Sequence, residues 1–509
     1  MIKIKHLILV ALLAIMTPIL FSACKKDRNN DPQQEVLTPG PDVNFYALTA
    51  DGKLLLINAK NPNSTTASVT ISGLQSGETI LGIDFRPATG QLYGVGSSSR
   101  IYVIDQKTGV ARSVATAPFT PAISGTSVGF DFNPTVDRIR LVTSSGQNLR
   151  LNPETGTVAA TDGVVNGVTN AKVSSVAYTQ NKAGASSTVL FDIDIANDKL
   201  HKQDPPNDGK LVEVGSLGLD AEDIGGFDIN PDGTAALAAL NVSGKSGLYL
   251  IDLTSGKASK ISNVDQQITA LAIPTEPVAY AVSTNNELLI FNPNAATPTL
   301  VVKAITGIQT GESILGIDMR PVNGQLYAVG STSRIYTINA SSGAAAMVGT
   351  GPLATLLTAT QIGFDFNPMA DRIRIVGNNG QNFRIVPTDA TLIVDTPITL
   401  STAAISGAAY TNNFAGASST ALFDIDATTD RLYKQDPPNS GALVDVGPLG
   451  VNIEANSGFD IGGTSGNAYG IFTVGGVQKL YTVNLTTGAA TAGATIATAV
   501  RGFTLGLGL

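Results

Sequence analysis

The chain repeats itself once along most of its length. GIDFRPATGQLYGVGSSSRIY begins at Gly82, and GIDMRPVNGQLYAVGSTSRIY begins at Gly316. Further matched pairs follow at nearly the same displacement: GFDFNP at Gly129 and Gly363, and KQDPPN at Lys202 and Lys434. Self-similarity at a fixed spacing is typical of repeat architectures, and it constrains the fold before any single residue is interpreted. Positions retained in both copies were either needed twice or have had little time to diverge.

Each copy divides again into units of about 45 residues, a length typical of propeller blades. One unit contains the four segments ILGIDFRP, QLYGVGS, RIYVIDQKTG and ARSVAT, with turn residues between them. Val, Ile, Thr and Ser fill these segments and Gly is abundant, with 53 residues, which is a composition that favours strands. Four strands in a unit of this length indicate a propeller blade. The predicted fold class is therefore all-β, and the predicted architecture is a β-propeller.

The order of strands along the chain predicts how each copy closes. The first copy starts with NFYALTADGKLLLINAK, a unit that lacks its first strand, and ITALAIP at Ile268 supplies that strand at the end. The second copy starts at Val278 and ends in the same way with RGFTLGL from Arg501. A ring closed by its own two ends leaves no exposed sheet edge. We therefore predict two tandem five-bladed propellers, at residues 44–274 and 278–509, with one ten-bladed ring as the alternative.

The N-terminus has the features of an export signal followed by a tether. Two lysines precede an apolar run, residues 7–21, that is shorter than the roughly 20 residues a transmembrane helix requires. Small residues then lead to Cys24, as at a signal cleavage site. Residues 1–23 are predicted to be a signal peptide. Residues 24–43 are polar and end in Pro and Gly, so they are predicted to be a flexible tether.

Cys24 is the only cysteine of the chain. The sequence FSAC resembles the lipobox of bacterial lipoproteins, although Phe21 stands where that motif usually has an aliphatic residue. A cleaved secretory signal with a free thiol is the alternative, because a single cysteine cannot form an internal disulfide. The charges after Cys24 resemble those that lead surface lipoproteins of Bacteroidetes. We expect an extracytoplasmic protein, attached through an N-terminal lipid to the outer membrane of a Bacteroidetes-like bacterium.

Several segments of the repeat together resemble one bacterial family. The segments are GIDFRPATGQLYGVG, GFDFNPTVDRIRLV, GQNLRLNPETG and LFDIDIANDKLHKQDPPNDGKLVEVGSLG, and they resemble the family known as domain of unknown function 4394. The resemblance covers both copies. It implies a propeller-like extracytoplasmic module, and it supplies no established activity and no catalytic residues.

Composition excludes several classes of function. The net charge is −8 and basic clusters are missing from the sequence, which argues against nucleic-acid binding. Of the two histidines, His6 lies in the predicted signal and His201 is replaced by Tyr433 in the second copy. Histidine-based triads, Cys–His dyads and zinc sites with the usual ligands are therefore excluded. Trp is absent, which makes a glycan-degrading role less favoured.

Three units of each copy begin with Gly-x-Asp, and these are the candidate site residues. The aspartates are Asp84, Asp131, Asp228, Asp318, Asp365 and Asp460. Residues two apart in a strand share a face, so Gly and Asp are predicted to point into a central channel, while Ile or Phe points towards neighbouring blades. Three converging carboxylates would suit a hard cation such as Ca²⁺. Alternatively, each Asp caps the turn that follows it by bonding backbone N–H groups two residues on.

Three other motifs receive structural interpretations. FDIDIAND and FDIDATTD faintly resemble calcium loops but lack the glycine and glutamate that such loops use, so hairpins are the better interpretation; their aspartates are Asp192, Asp194, Asp198, Asp424, Asp426 and Asp430. QDPPN contains two prolines that cannot donate to a sheet, which predicts a rigid loop on one rim. The recurring arginines are expected to hold hairpins together by pairing with aspartates; they include Arg86, Arg138, Arg140, Arg150, Arg320, Arg372, Arg374 and Arg384.

The leading functional prediction is a non-enzymatic module that binds an unknown protein or small-molecule ligand, because propellers present loops on two rims. This prediction rests on the fold class alone. A hydrolase or lyase that uses channel carboxylates as acid and base is one alternative. A structural spacer of the cell envelope is another. No catalytic residue is assigned.

Overall fold

The computed structural model describes residues 36–400 and 402–509, except for the side chains of residues 455–457. Residues Leu37–Leu509 form one compact unit. The predicted signal peptide, Cys24 and most of the predicted tether lie outside the described residues. In the described residues no helix has the length and apolarity needed to cross a membrane.

The fold is all-β, and the described strands form ten antiparallel sheets of four strands each. The strands of the first copy are β1 (Asn44–Thr49), β2 (Lys53–Asn58), β3 (Thr65–Thr70), β4 (Ile80–Phe85), β5 (Leu92–Gly96), β6 (Arg100–Ile104), β7 (Ala111–Ser113), β8 (Val128–Asn133), β9 (Arg138–Thr143), β10 (Asn148–Asn152), β11 (Thr157–Thr161), β12 (Val173–Tyr178), β13 (Leu190–Asp194), β14 (Lys199–Gln203), β15 (Leu211–Ser216), β16 (Asp223–Ile229), β17 (Ala236–Val242), β18 (Lys245–Ile251), β19 (Ala258–Asn263) and β20 (Ile268–Ala272).

The second copy repeats this series. Its strands are β21 (Ala279–Ser283), β22 (Glu287–Phe291), β23 (Val301–Ala304), β24 (Ile314–Arg320), β25 (Gln325–Gly330), β26 (Ile335–Ile338), β27 (Ala345–Val348), β28 (Ile362–Asn367), β29 (Arg372–Gly377), β30 (Asn382–Ile385), β31 (Leu392–Val394), β32 (Ile405–Tyr410), β33 (Leu422–Asp426), β34 (Arg431–Gln435), β35 (Leu443–Pro448), β36 (Ala455–Ile461), β37 (Ala468–Val474), β38 (Val477–Val483), β39 (Ala490–Thr495) and β40 (Val500–Leu505). Short 3₁₀ turns occupy Pro206–Asp208 and Pro438–Ser440 in the two QDPPN loops.

Eight sheets are built from four consecutive strands, and the remaining two combine strands from both ends of a copy. In the first copy β20 pairs with β1 to give the order β20-β1-β2-β3, and in the second copy β40 pairs with β21 to give β40-β21-β22-β23. The late strand therefore completes the sheet that the start of each copy leaves one strand short. This arrangement together with the repeated four-stranded sheets defines a β-propeller-like fold.

The first strands of neighbouring sheets pack against one another. In the first copy β4 contacts β8, β8 contacts β12, β12 contacts β16, β16 contacts β20, and β20 contacts β4. In the second copy the corresponding contacts run through β24, β28, β32, β36 and β40, and β40 contacts β24. Burial falls from the first to the fourth strand of a sheet: β12 is buried throughout, whereas β3 is almost fully exposed. The first strands therefore form the interior of each copy.

The apolar core lies between adjacent sheets. One cluster joins Tyr93, Val95 and Ile101 of the β4–β7 sheet to Phe130 and Phe132 of β8. The Tyr93 and Phe132 rings meet edge to face, with centroids 5.2 Å apart, a geometry that aromatic pairs prefer. The period-2 alternation of the strands places these side chains on the faces between sheets.

The two copies also contact one another directly. The Tyr280 hydroxyl donates to the carbonyl of Ala88 at 2.9 Å, and the Gly508 N–H donates to the carbonyl of Thr89 at 2.8 Å. Ala88 belongs to the same buried apolar cluster as Tyr280 and Val278. The copies are therefore joined by packing as well as by the connecting segment.

Candidate functional site

The structure brings the Gly-x-Asp carboxylates of each copy together. Asp84, Asp131 and Asp228, here called the first triad, lie on β4, β8 and β16, and their carboxylate oxygens come within 4.8 Å of one another. All three side chains are buried. The second triad repeats the arrangement on β24, β28 and β36 with Asp318, Asp365 and Asp460. The grouping follows from the packing of the first strands around one interior.

Each carboxylate of the first triad accepts a hydrogen bond from the next sheet. Asp84 Oδ2 accepts from the Phe132 N–H at 2.7 Å, and Asp131 Oδ1 accepts from the Tyr178 N–H at 3.0 Å. Asp228 Oδ2 accepts from the Ile273 N–H at 2.5 Å. The bonds of the second triad are equivalent and go to the N–H groups of Phe366, Tyr410 and Leu505. The carboxylates therefore fasten the first strand of one sheet to the first strand of the next.

The turn-capping alternative is wrong for these aspartates. Within its own strand, Asp84 Oδ1 accepts from the N–H of the residue directly after it, Phe85, at 2.7 Å. Asp228 bonds Ile229 in the same way at 2.6 Å. The hydrogen bonds of these two carboxylates are thus to the adjacent residue and to the neighbouring sheet, because the side chains point across to that sheet instead of along the turn.

The glycines two residues before the aspartates permit this contact. A Cβ added to Gly82 would lie 2.8 Å from the Cβ of Phe130 in the next sheet, and one added to Gly129 would lie 2.8 Å from the Val176 backbone nitrogen. The face that carries Gly and Asp is therefore packed on a neighbouring sheet. This corrects the expectation that only the intervening Ile or Phe would point towards neighbouring blades.

Burial controls the charge of the first triad. It raises the pKa of Asp84 and Asp131 well above the usual range, and neighbouring triad carboxylates raise both values further. It also raises the pKa of Asp228 to about 7, against the opposing effect of the hydrogen bonds from Ile273 and Ile229. Three buried carboxylates at this separation cannot all be ionised near neutral pH. In the absence of a bound cation, the first triad therefore retains protons near neutral pH.

The second triad differs from the first in having a hydroxyl group, that of Thr504, beside its carboxylates. The sequence analysis did not predict this contact. Thr504 Oγ1 lies 2.8 Å from Asp318 Oδ1 and 3.0 Å from Asp460 Oδ2. Ala272 occupies the equivalent position of the first copy. Burial raises the pKa of Asp460 to about 6, with hydrogen bonds from Leu505, Ile461 and Thr504 lowering it. The sequence signal was the exchange of Ala272 for Thr504 between the equivalent segments LAIP and FTLG.

The oxygen-only composition of each triad suits a hard cation. Both oxygens of Asp84, both oxygens of Asp228 and Oδ1 of Asp131 already accept backbone N–H groups. In the second triad, Asp365 Oδ2 has no hydrogen-bond partner among the described residues. These hydrogen bonds give the carboxylates a structural role that needs no ion.

A cavity of about 560 Å³ lies in the interior of the first copy. It is lined by residues of β4, β8, β12, β16 and β20, and these include Gly82 and Gly226. The acidic residues of its lining are Asp51, Glu78 and Asp223, and the other lining residues have uncharged side chains. The carboxylates of the first triad do not contribute to the lining. Glycines two residues before triad aspartates therefore line the cavity, but the aspartates themselves do not.

The recurring arginines pair with aspartates, as the sequence interpretation expected: the Arg86 pair joins neighbouring sheets, whereas the Arg140 and Arg374 pairs each lie within one sheet. Arg86 is fully buried, and its Nε donates to Asp137 Oδ1 at 2.9 Å. Arg140 Nη1 pairs with Asp162 Oδ2 at 2.7 Å, and Arg374 pairs with Asp395 at the same distance. These guanidinium groups are occupied by protein partners and are not placed to bind a ligand.

The FDID segments form hairpins in which one aspartate has an unexpected environment. Asp194 Oδ1 accepts from the N–H groups of Lys172 and Ala196, as expected at a turn. Asp192 is fully buried, and neither of its oxygens has a hydrogen-bond partner in the described part of the chain. Burial raises its pKa well above the usual range, opposed by the charge of Arg140. Asp424 repeats this environment in the second copy.

A comparison with models of known protein families identifies the repeated unit. The family model described as Domain of unknown function (DUF4394) matches residues 53–272 and again residues 287–504. The comparison with curated proteins gave no match.

Two solved structures show distant similarity. One is PorZ, a surface component of the type-IX secretion system of Porphyromonas gingivalis, with 12% identity, a TM-score of 0.27, and coverage of 90% of this chain and 59% of PorZ. The other is the extracellular domain of BT4673 from B. thetaiotaomicron, with 11% identity, a TM-score of 0.24, and coverage of 88% and 58%. The chain spans less than two thirds of either structure.

Proposed function

Because the chain belongs to the family described as a domain of unknown function (DUF4394), matched twice along its length, we propose its function from the architecture. The protein is a non-enzymatic binding module of the bacterial cell envelope, built from two five-bladed propellers. The alternative of one ten-bladed ring would place β20 beside β24. The contacts of β20 with β4, and of β40 with β24, favour two separate rings.

One observation carries the choice of binding over catalysis. The six triad aspartates are the clustered acids of the described chain, and each is at most 1% exposed. A general acid or base must come within hydrogen-bond reach of its substrate. Carboxylates that are sealed between sheets and bonded to backbone N–H groups do not meet that condition. The cavity beside them offers glycine, hydroxyl and apolar surface together with Asp51, Glu78 and Asp223. Among the described residues these three acids form no close cluster, and the cavity suits binding.

Attachment to the outer membrane through a lipid on Cys24 remains part of the proposal. The support is the FSAC sequence at the end of the apolar run. Cys24→Ser should release the protein from the membrane fraction or leave it unprocessed. Unchanged fractionation and unchanged electrophoretic mobility would contradict the lipid anchor.

The binding role can be tested by closing the cavity. Ser127 is half-buried and lines the cavity of the first copy. Native mass spectrometry of the full chain from its producing bacterium should show a bound mass that Ser127→Trp removes. Thr155→Trp, at an exposed position away from the cavity, is the matched control and should retain that mass. Identical spectra for wild type and Ser127→Trp would contradict the cavity as the binding site.

A further inference from the structure

Two equivalent pairs of turn segments bring the first copy close to the second copy at two places. In one place Ala183 and Gly184 of the first copy lie near Ala340 and Ser341 of the second copy. In the other place the equivalent residues are exchanged between copies: Ala415 and Gly416 lie near Gln106 and Lys107. The copies are thus related at this interface by an approximate two-fold exchange, which is the arrangement of an isologous contact.

The two places differ greatly in the space they enclose. The first is filled, with a cavity of only about 10 Å³, and Tyr280 and Ala88 contribute to its lining. The second is a cleft of about 750 Å³, here called the inter-copy cleft. This volume is within the range of small-molecule sites, which occur preferentially between domains. The chain therefore seals one of two equivalent contacts and leaves the other open.

The two copies differ in sequence at three positions that line the open cleft. Lys107 and Arg112 line it, whereas the equivalent positions of the second copy are Ser341 and Ala346. Phe414 also lines it, and the equivalent residue of the first copy is Lys182. The neighbouring AGASS sequence is identical in both copies. At these three positions the cleft therefore has two cations and an aromatic ring, whereas the equivalent residues are a serine, an alanine and a lysine.

The two cations are available to a ligand. Both side chains are exposed, and in the described part of the chain neither forms an ion pair. Lys107 Nζ donates to the carbonyl of Thr464, and Arg112 Nη2 lies 3.5 Å from the carbonyl of Gly416. Asp105 is the acidic residue of the lining, and its Oδ1 accepts from the N–H groups of Lys107 and Thr108. The lining carries net positive charge on a chain of net charge −8.

We propose that the inter-copy cleft binds a small organic anion that carries a planar apolar group. Arg112 offers a planar set of donors that matches a carboxylate, sulfonate or phosphate, and Lys107 adds a second positive charge. Phe414, Leu92 and Val103 supply apolar surface for the rest of the ligand. This inference rests on the proposed binding role and names a second ligand site for it, separate from the cavity of the first copy.

The test uses anilinonaphthalene sulfonate, a fluorescent organic anion with planar apolar rings. Titrated into the folded full chain, it should bind at one site and more weakly as the salt concentration rises. The double variant Lys107→Ser with Arg112→Ala introduces the residues of the second copy at those positions, and it should weaken binding by at least about tenfold. Phe414→Lys should also weaken binding, because the planar group loses its contact although positive charge is added.

The matched control is Lys210→Ser with Lys257→Ser, which removes the same charge from exposed positions outside the cleft. It should bind the probe as the wild type does. Equal binding by both double variants would overturn the proposal, and so would binding that appears only as the protein unfolds. Ser127→Trp should leave probe binding unchanged, so failure at the cleft is distinguishable from failure of the binding role at the cavity.

Discussion

At the scale of single residues, the distinctive feature of this protein is a set of buried aspartates whose pKa values are raised by burial. In each triad the aspartates are buried within 4.8 Å of one another. Half of their oxygens accept N–H groups from adjacent sheets, which lowers the cost of burial without removing the mutual repulsion. Asp192 and Asp424 are buried without any such partner. The native protein therefore binds more protons at these positions than the unfolded chain does.

The raised pKa values make the free energy of unfolding depend on pH. Unfolded aspartates titrate near pH 4, whereas the native pKa of Asp228 is about 7 and that of Asp460 is about 6. Between these values the native state holds more protons, so the free energy of unfolding contributed by these groups falls as pH rises. The melting temperature of wild type relative to Asp228→Asn should decrease from pH 5 to pH 8. A relative increase over that range would contradict the assignment.

The same melting experiment decides between protons and a cation. A bound ion stabilises the native state by mass action. If the hydrogen bonds and protons satisfy the triads, millimolar Ca²⁺ should leave the melting temperature at pH 8 unchanged for wild type and for Asp131→Asn. A rise in wild type that Asp131→Asn abolishes would show that the first triad is a calcium site.

Asp192 should tolerate loss of its charge. Because burial raises its pKa well above the usual range, the neutral form is favoured, and we expect Asp192→Asn to change the free energy of unfolding at pH 7 by less than about 1 kcal/mol. Asp162→Asn is the control, because Asp162 is paired with the buried Arg140, and breaking such a pair costs about 3 kcal/mol. Chemical denaturation measures both. Equal losses would contradict a neutral Asp192.

At the scale of elements, the close approach of first strands determines where glycine is required. Gly129 on β8 faces the backbone of Val176 on β12, and Gly363 on β28 faces Ala408 on β32 in the same way. The aspartate two residues later on the same face bonds the N–H of the next strand. Glycine and aspartate therefore act as one unit: the first permits the approach, and the second fixes the register between sheets.

Substitution of that glycine should be costly for steric reasons. The Cβ of Gly129→Ala would lie 2.8 Å from the Val176 nitrogen, and overpacking of this kind should cost about 3 kcal/mol. Gly52→Ala is the control: Gly52 has φ of 77° and open space around it, so only backbone strain of about 1 kcal/mol applies. Urea denaturation compares them. A smaller loss for Gly129→Ala than for Gly52→Ala would contradict the strand packing.

At the scale of the whole molecule, the pairing of each copy's last strand with its own first strand and the packing between the copies are separate features. The late strands β20 and β40 each return to their own copy. Between copies, Arg86 is fully buried and its Nη1 donates to the carbonyls of Asn323 and Gly324 at 3.2 and 3.3 Å. The equivalent Arg320 retains partial exposure. Separation of the copies would therefore expose polar and apolar groups without opening either set of five sheets.

This leads to an expectation for the separated halves. Residues 42–274 and 275–509, produced as two chains, should each fold with a cooperative melt, because each contains its own completing strand. Each should melt at a lower temperature than the full chain, since the contacts of Arg86, Ala88 and Tyr280 are lost. Mixing the halves should raise both melting temperatures. Persistent insolubility of both halves would favour a single ten-bladed ring.

The sequence by itself determined the features that depend on local pattern. The duplication, the four-stranded units, the missing strand supplied at Ile268 and the grouping of Asp84, Asp131 and Asp228 follow from spacing, strand period and turn residues. Only the tertiary structure decided what those carboxylates bond, because their partners lie in the next sheet. It also decided that Thr504 joins the second triad, that Asp192 has no hydrogen-bond partner among the described residues, and that the inter-copy cleft is open. Those features depend on packing between distant segments, which local periodicity does not encode.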